Sequence, residues 1–241
     1  GYEGDTLASA LLANGIHLVG RSFKYHRPRG FTGAGVDEPN AKVQLYDGAR
    51  TEPNALATEV ELVEGLVAKS QNCWPSVFFD LGAINNLLSK FFPAGFYYKT
   101  FMWPASFWRK YEFFIRHSAG LGKSPTKPDT DIYDHRYLHC DVLIIGGGIS
   151  GIIAAKIAAI NNLKTVLIEE KNELGGSTIY QNSEFHKIQN KKSSEWLNEE
   201  IKELKKIKNI DIKTRTSVAA FHSYNYLLAR ETLTDHLPKS E

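Results

Sequence analysis

Six residues, Gly146-Gly147-Gly148-Ile149-Ser150-Gly151, carry the spacing G-x-G-x-x-G. In such a turn Gly146 permits a tight exit from a strand, Gly148 lets backbone approach a pyrophosphate, and Gly151 lets a helix pack closely on the sheet. Phosphates would then face free N–H groups and the positive end of the helix dipole. A glycine triplet alone is weak, but its context here gives it force. "DVLII" before it is a short, continuously apolar run, the pattern of a buried parallel strand, and "ISGIIAAKIAAI" after it has helical spacing. "KTVLIEE" reads as a second strand, whose end should hold a carboxylate for ribose hydroxyls. Glu169 stands there, directly behind "VLI", with Glu170 beside it. An acidic strand end repels a ribose 2′-phosphate, which favours NAD or FAD over NADP; spacing does not choose between those two. Gly175-Gly176, in "KNELGGS", lets the chain pass near the dinucleotide again. That extension belongs to flavoprotein and disulfide-reductase-like domains rather than simple dehydrogenases.

Other chemistry is sparse. His135 and His139 sit four apart without a third ligand nearby, so no metal site is expected. Cys73 and Cys140 are too isolated for a disulfide framework, which fits a reducing cytoplasm. No residue is a credible catalytic acid, base or nucleophile. The stretch "YHRPRGFTGAGVDEPNAKVQLYDG", Tyr25 to Gly48, is shaped like a loop that wraps an iron–sulfur cluster, yet it contains no cysteine.

The elements that must position these residues fall into three segments. In residues 1–48, Asp5 is expected to cap the helix "TLASALLA", Asn14-Gly15 to close it, and "KVQLYDG" to form a strand entering a turn. Residues 49–138 lack a clean period and end in the polar linker "GKSPTKPDTD". Their aromatic run "FYYKTFMWPASFWRKYEFFIR" reads first as core packing against neighbouring domains and second as a docking surface for another subunit. Lys90, Pro93, Lys99, Pro104, Arg109 and Lys110 interrupt it, so it lacks the roughly 20 apolar residues of a membrane span. Residues 139–241 continue the β-α-β pattern with the charged helix "SEWLNEEIKELKKI" and the strand-like runs "IDIKT" and "SVAAFH". A net charge of +2 over 241 residues gives no electrostatic case for nucleic acid.

The ordered stretches "GDTLASALLANG", "VGRSFKYHRPRG", "GVDEPNAKV", "FYYKTFMWP", "HCDVLIIGGGISG", "EEKNELGGS" and "YNYLLARETLTDHLP" resemble the alpha subunit of heterotetrameric sarcosine oxidase. Similar subunits occur in N-methylglutamate dehydrogenase, and more distant ones in opine oxidases and hydrogen cyanide synthase. The resemblance implies an α/β fold: a ferredoxin-like β-grasp domain, then the first half of a Rossmann-type, glutathione-reductase-like dinucleotide domain. In that family the N-terminal loop would carry cysteines where Thr32, Asp37 and Asn40 stand here, so a scaffold without an iron–sulfur cluster is expected. The resemblance also implies NAD in this subunit, met by Ser150, Glu169, Glu170, Lys171, Ser177 and, on the adenine side, Val218. It places FAD in the beta subunit and FMN at the alpha–beta interface, with gamma and delta subunits completing the complex. The implied reaction is oxidative demethylation of sarcosine to glycine in the cytoplasm, with folate taking the one-carbon unit and oxygen the electrons. The chain is then expected to be part of a longer subunit. The alternatives are an alpha-type subunit of N-methylglutamate or another amine or opine dehydrogenase, and a non-catalytic scaffold with a vestigial nucleotide site.

Overall fold

The computed structural model describes residues 1–2, 4–91, 94–95, 101–181 and 184–237. It divides into two compact units, Gly1–Ile132 and Tyr133–Glu241.

The first unit begins with α1, Leu7–Ala13. Its N-cap is Thr6 rather than Asp5: the Thr6 hydroxyl accepts the Ser9 N–H at 3.0 Å and Ser9 Oγ accepts the Thr6 N–H at 3.0 Å. Thr6 has the extended dihedrals a cap needs, so Asp5 takes a supporting place, accepting from Tyr2 N–H and from Ser9 Oγ. Gly15, at φ +76°, follows the last turn in the left-handed region. Strands β1, Gly20–Arg21, and β2, Pro28–Arg29, form an antiparallel hairpin. A second antiparallel sheet has the order β4-β3-β5, with β3 at Lys42–Leu45, β4 at Glu52–Leu56 and β5 at Ala68–Ser70. Val43 and Leu45 alternate inward from β3 onto Leu7, Ala8, Val19, Ala41 and Ala57. This core crosses the boundary expected at residue 48, since β4 and β5 come from the segment read as a connector.

That segment continues with the short α2, Ile84–Leu87, and with α3, Trp108–Ser118. Among the described residues of this segment the Phe101 and Tyr111 rings pack 5.4 Å apart, while Phe78, Phe91, Trp103 and Phe114 are between 69% and 84% exposed. No apolar face among the described residues covers them. Residues 96–100 of the "FYYKTFMWP" stretch, and Pro238 closing the "TDHLP" stretch, lie outside the described residues.

The second unit is built on a parallel sheet of order β10-β7-β6. Strand β6, Val142–Ile145, leads through α4, Ile149–Ile160, to β7, Thr165–Ile168, in a β-α-β unit. The hairpin of β8, Lys187–Ile188, and β9, Lys191–Lys192, precedes α5, Ser193–Leu204. Strand β10, Ile210–Lys213, returns to pair with β7, and an antiparallel hairpin follows: β11, Thr216–His222, with β12, Tyr226–Glu231. Ile152 and Ala155 of α4, Leu167 of β7, and Trp196, Leu197 and Leu204 of α5 form the core. The continuously apolar β6 pairs with β7 alone among the described residues, and its Ile145 is 58% exposed. The buried centre is β7, all four of whose residues are inaccessible. Among the described residues no helix is long and apolar enough to cross a membrane, and no three His, Cys, Asp or Glu gather as metal ligands.

Candidate functional site

The sheet delivers two chain ends to one place. The Gly146 N–H donates to Ile168 O at 2.7 Å, carrying the β6–β7 ladder one step past β6, and at φ +98° Gly146 turns the chain in a conformation that favours glycine. Gly148 then caps α4 without any side-chain acceptor, leaving first-turn N–H groups of the helix without a protein side chain to satisfy them. A Cβ added at Gly148 would meet nothing within 4 Å, so open space lies in front of the turn. At Gly151 the reverse holds: an added Cβ would strike the Gly146 carbonyl, so the helix packs there only as glycine.

Glu169 follows β7 directly and is 6% exposed. Its backbone is held on both sides, the N–H donating to Lys213 O at 2.8 Å and the carbonyl accepting from Thr216 N–H at 2.9 Å. The side chain reaches into the glycine turn, where Oε2 accepts the Gly147 N–H at 2.5 Å, while Oε1 accepts the Lys171 N–H at 2.9 Å. Gly175 closes the other side, its N–H donating to Gly147 O at 2.8 Å in an isolated parallel bridge. With φ values of +136° and +56°, Gly175 and Gly176 approach so closely that a Cβ at Gly176 would lie 3.1 Å from Gly148 Cα.

The turn therefore gathers Gly146, Gly148, Gly151 and Glu169 as their spacing predicts. Ser150 is exposed in the first turn of α4, Ser177 is exposed in the 3₁₀ turn Gly176–Tyr180, and Glu170 is exposed beside Glu169. Lys171 enters through its backbone N–H, while its ammonium lies 4.8 Å from the centre of the Tyr180 ring. Val218 is half-buried on β11 opposite Ala229, two residues beyond Thr216. Sequence reasoning missed the part of Gly147, whose N–H donates to Glu169 and whose carbonyl accepts from Gly175. The signal was present in the unbroken Gly146-Gly147-Gly148 run, since a motif needing two glycines leaves the third unexplained. A carboxylate has about four lone-pair sites and Glu169 uses two here, so it keeps acceptors for hydroxyls beside a turn that offers N–H groups to phosphates.

Residues 141–239 match the family of FAD dependent oxidoreductases, and residues 1–73 match the 2Fe-2S iron-sulfur cluster binding domain. Sarcosine oxidase subunit alpha of Rhizobium meliloti (strain 1021) is 49% identical over 238 residues, 98% of this chain and 24% of that protein. The subunit alpha of Corynebacterium sp. (strain U-96) is 30% identical over 98% of this chain and 20% of that protein. The chain is homologous to sarcosine oxidase alpha subunits. It spans about a quarter or less of the length of these relatives. Among solved structures, L-proline dehydrogenase from P. horikoshii aligns with a TM-score of 0.48 at 20% identity, covering 95% of this chain and 34% of that one. That likeness is too loose to carry an argument.

One cofactor expectation is corrected by these matches. It is the absence of an iron–sulfur cluster, which the match of residues 1–73 to a 2Fe-2S binding domain overturns. That expectation weighed the three positions Thr32, Asp37 and Asn40, whereas the match spans the whole domain. Residues 1–73 contain one thiol, Cys73, pushed up by burial and then by the neighbouring Asp80. The expectation of NAD in this subunit stands beside a match of residues 141–239 to FAD dependent oxidoreductases. A glycine turn with such a carboxylate addresses the ADP half that both dinucleotides share, so spacing had no means of choosing. The turn fits such a group, because the space before Gly148 is one that a side chain would fill.

Proposed function

We propose that the second unit holds the ADP half of FAD within the alpha subunit of a multi-subunit oxidoreductase of the sarcosine oxidase type. The observation that carries this reading is Glu169, buried and bonded to Gly147 N–H at 2.5 Å in a turn whose outer face is open. The N–H groups opening α4 would take the pyrophosphate, and the spare lone pairs of Glu169 the ribose hydroxyls. Gly175 and Gly176 keep side chains away from the same face. Ser150 and Ser177, exposed at the two ends of the turn, are placed to donate hydroxyls to phosphate oxygens, and Val218 would line the adenine. The flavin, when bound, supplies the hydride acceptor, and the protein positions it.

The names of the relatives supply the rest: sarcosine as the substrate, oxidation as the reaction, and further subunits as partners. The test is to purify the full-length protein with its co-expressed subunits, separate this subunit, release its bound small molecules by heat, and identify them by mass spectrometry. FAD at one equivalent is expected. NAD in its place, or an empty subunit, would overturn the assignment.

A further inference from the structure

Beside the β1–β2 hairpin of the first unit lies a cavity of about 310 Å³. Three cations line it, Arg21, Arg29 and Lys42, and no carboxylate does. The wall is rigid. Arg21, whose side chain is only 10% exposed, donates from Nε to Val77 O at 2.7 Å, from Nη1 to His26 O at 2.7 Å, and from Nη2 to Phe78 O at 3.3 Å. Those bonds use three of its five N–H donors and leave two. Asn72, also in the wall, accepts the Arg21 N–H through Oδ1 at 3.1 Å and donates to the Arg21 carbonyl. Gln71 is fixed by paired hydrogen bonds with Asn54.

The nearby carboxylates are already engaged behind that wall. Asp80 Oδ2 lies 2.6 Å from His26 Nδ1 and 3.8 Å from Arg21 Nε, and its Oδ1 accepts from the Trp74 and Gly82 N–H groups. Glu38 accepts the Thr32 N–H on one oxygen and the Asn40 N–H on the other, each at 2.8 Å. Arg29 and Lys42 are different. Among the described residues neither side chain makes a hydrogen bond or an ion pair; that of Lys42 only overlies the Phe23 ring, 5.6 Å from its centre. Two unpaired cations and a half-satisfied buried arginine around one concave, low-dielectric wall concentrate positive potential there. A bare phosphate would be lost in the volume, which stands at the lower end of small-molecule clefts, roughly 300–1,000 Å³.

We propose that this pocket binds a small organic anion with at least two oxyanion groups, an organic phosphate or a polycarboxylate, clamped between Arg29 and Lys42 against Arg21. Isothermal titration of the full-length protein at low salt, with inorganic pyrophosphate and with citrate as probes, tests it. Saturable one-to-one uptake is expected, and it should be lost at high salt. The double variant Arg29→Gln, Lys42→Gln should weaken it at least about tenfold for each cation removed, with the melting temperature unchanged. Gly148→Val should leave it intact, which separates this pocket from the nucleotide turn. Preference for pyrophosphate assigns an organic phosphate, and preference for citrate a polycarboxylate. Absence of saturable uptake, or equal uptake by the double variant, would sink the proposal.

Discussion

Replacing Gly148 by valine should separate ligand binding from folding. Gly148 has φ −68° and ψ −179°, an extended conformation open to any residue, and a Cβ there meets nothing within 4 Å. Losing glycine removes unfolded-state freedom, worth about 0.4–1 kcal/mol in favour of the variant. Against this, an aliphatic residue caps a helix less well than glycine, by a similar amount. The net change should stay within about 1 kcal/mol, a melting shift of roughly 2–4 °C for a chain of this length. Binding should respond very differently. The valine side chain fills the space where the pyrophosphate meets the helix, and each hydrogen bond to a charged group is worth about 1.5–3 kcal/mol. Losing two costs about 3–6 kcal/mol, or roughly 10²- to 10⁴-fold in Kd. Gly151→Ala is the opposite case, because its Cβ collides with the Gly146 carbonyl and the turn must move. That overpacking should cost about 1–3 kcal/mol of apo stability and take the ligand with it. Thermal melting of both apo proteins, beside titration with FAD, reads the contrast. FAD retained at wild-type stoichiometry by Gly148→Val, or a Gly151→Ala protein as stable as wild type, would refute the reasoning.

Glu169→Gln places an amide N–H₂ where the carboxylate now accepts from Gly147 or Lys171, so apo stability should fall by about 1–3 kcal/mol, measured by chemical denaturation without ligand. Gly82→Ala pushes a methyl group into the His26 ring and should cost the first unit about 1–3 kcal/mol, visible as an earlier melting transition. Burial by itself raises the Asp80 carboxyl, but the hydrogen bonds from Trp74, His26 and Gly82 together hold it below its ordinary value. Its stabilising contribution is therefore present above the unfolded carboxylate pKa, about 3.9, and is lost as pH falls through the lower folded value. Acid titration followed by near-ultraviolet circular dichroism should show this loss below about pH 4, and Asp80→Asn should flatten that limb.

The glycine turn was legible in the sequence because its constraints are local and steric. Gly146 and Gly151 are required by the backbone path itself, whichever ligand binds. Register was harder. Asp5 and Thr6 are both good caps, and only the dihedrals of the folded chain decide between them. An apolar run such as "DVLII" reports that a segment prefers a strand, but not which strand it joins, and β6 pairs with β7 across an intervening helix. Strand β4, "EPNAL", carries Pro53 and Asn54, which mask a strand pattern, and it pairs with β3 across the boundary expected at residue 48. The basic pocket draws on three stretches separated by up to fifty residues, and no local pattern joins Arg21 to Asn72. Spacing could not choose between NAD and FAD for a chemical reason, since a glycine turn with its carboxylate addresses the half that the two molecules share.

Glu169 shows most directly why the site works as a unit. Its two oxygens tie Gly147 to Lys171, and Gly147 in turn accepts from Gly175. The three chain segments that would surround a dinucleotide are thus fastened to one another through one carboxylate and one glycine. A ligand entering such a turn has little backbone left to order, so less of its interaction energy is offset by lost freedom. It follows that the turn should keep the same hydrogen bonds when loaded, with ribose hydroxyls added to the unused lone pairs of Glu169 rather than displacing Gly147. Amide exchange at Gly147 should therefore be slow in the apo protein and should change little on FAD addition, while exchange at the first-turn amides of α4 should slow markedly. Fast apo exchange at Gly147 would mean that the carboxylate does not hold the turn closed, and the preorganisation argument would fail.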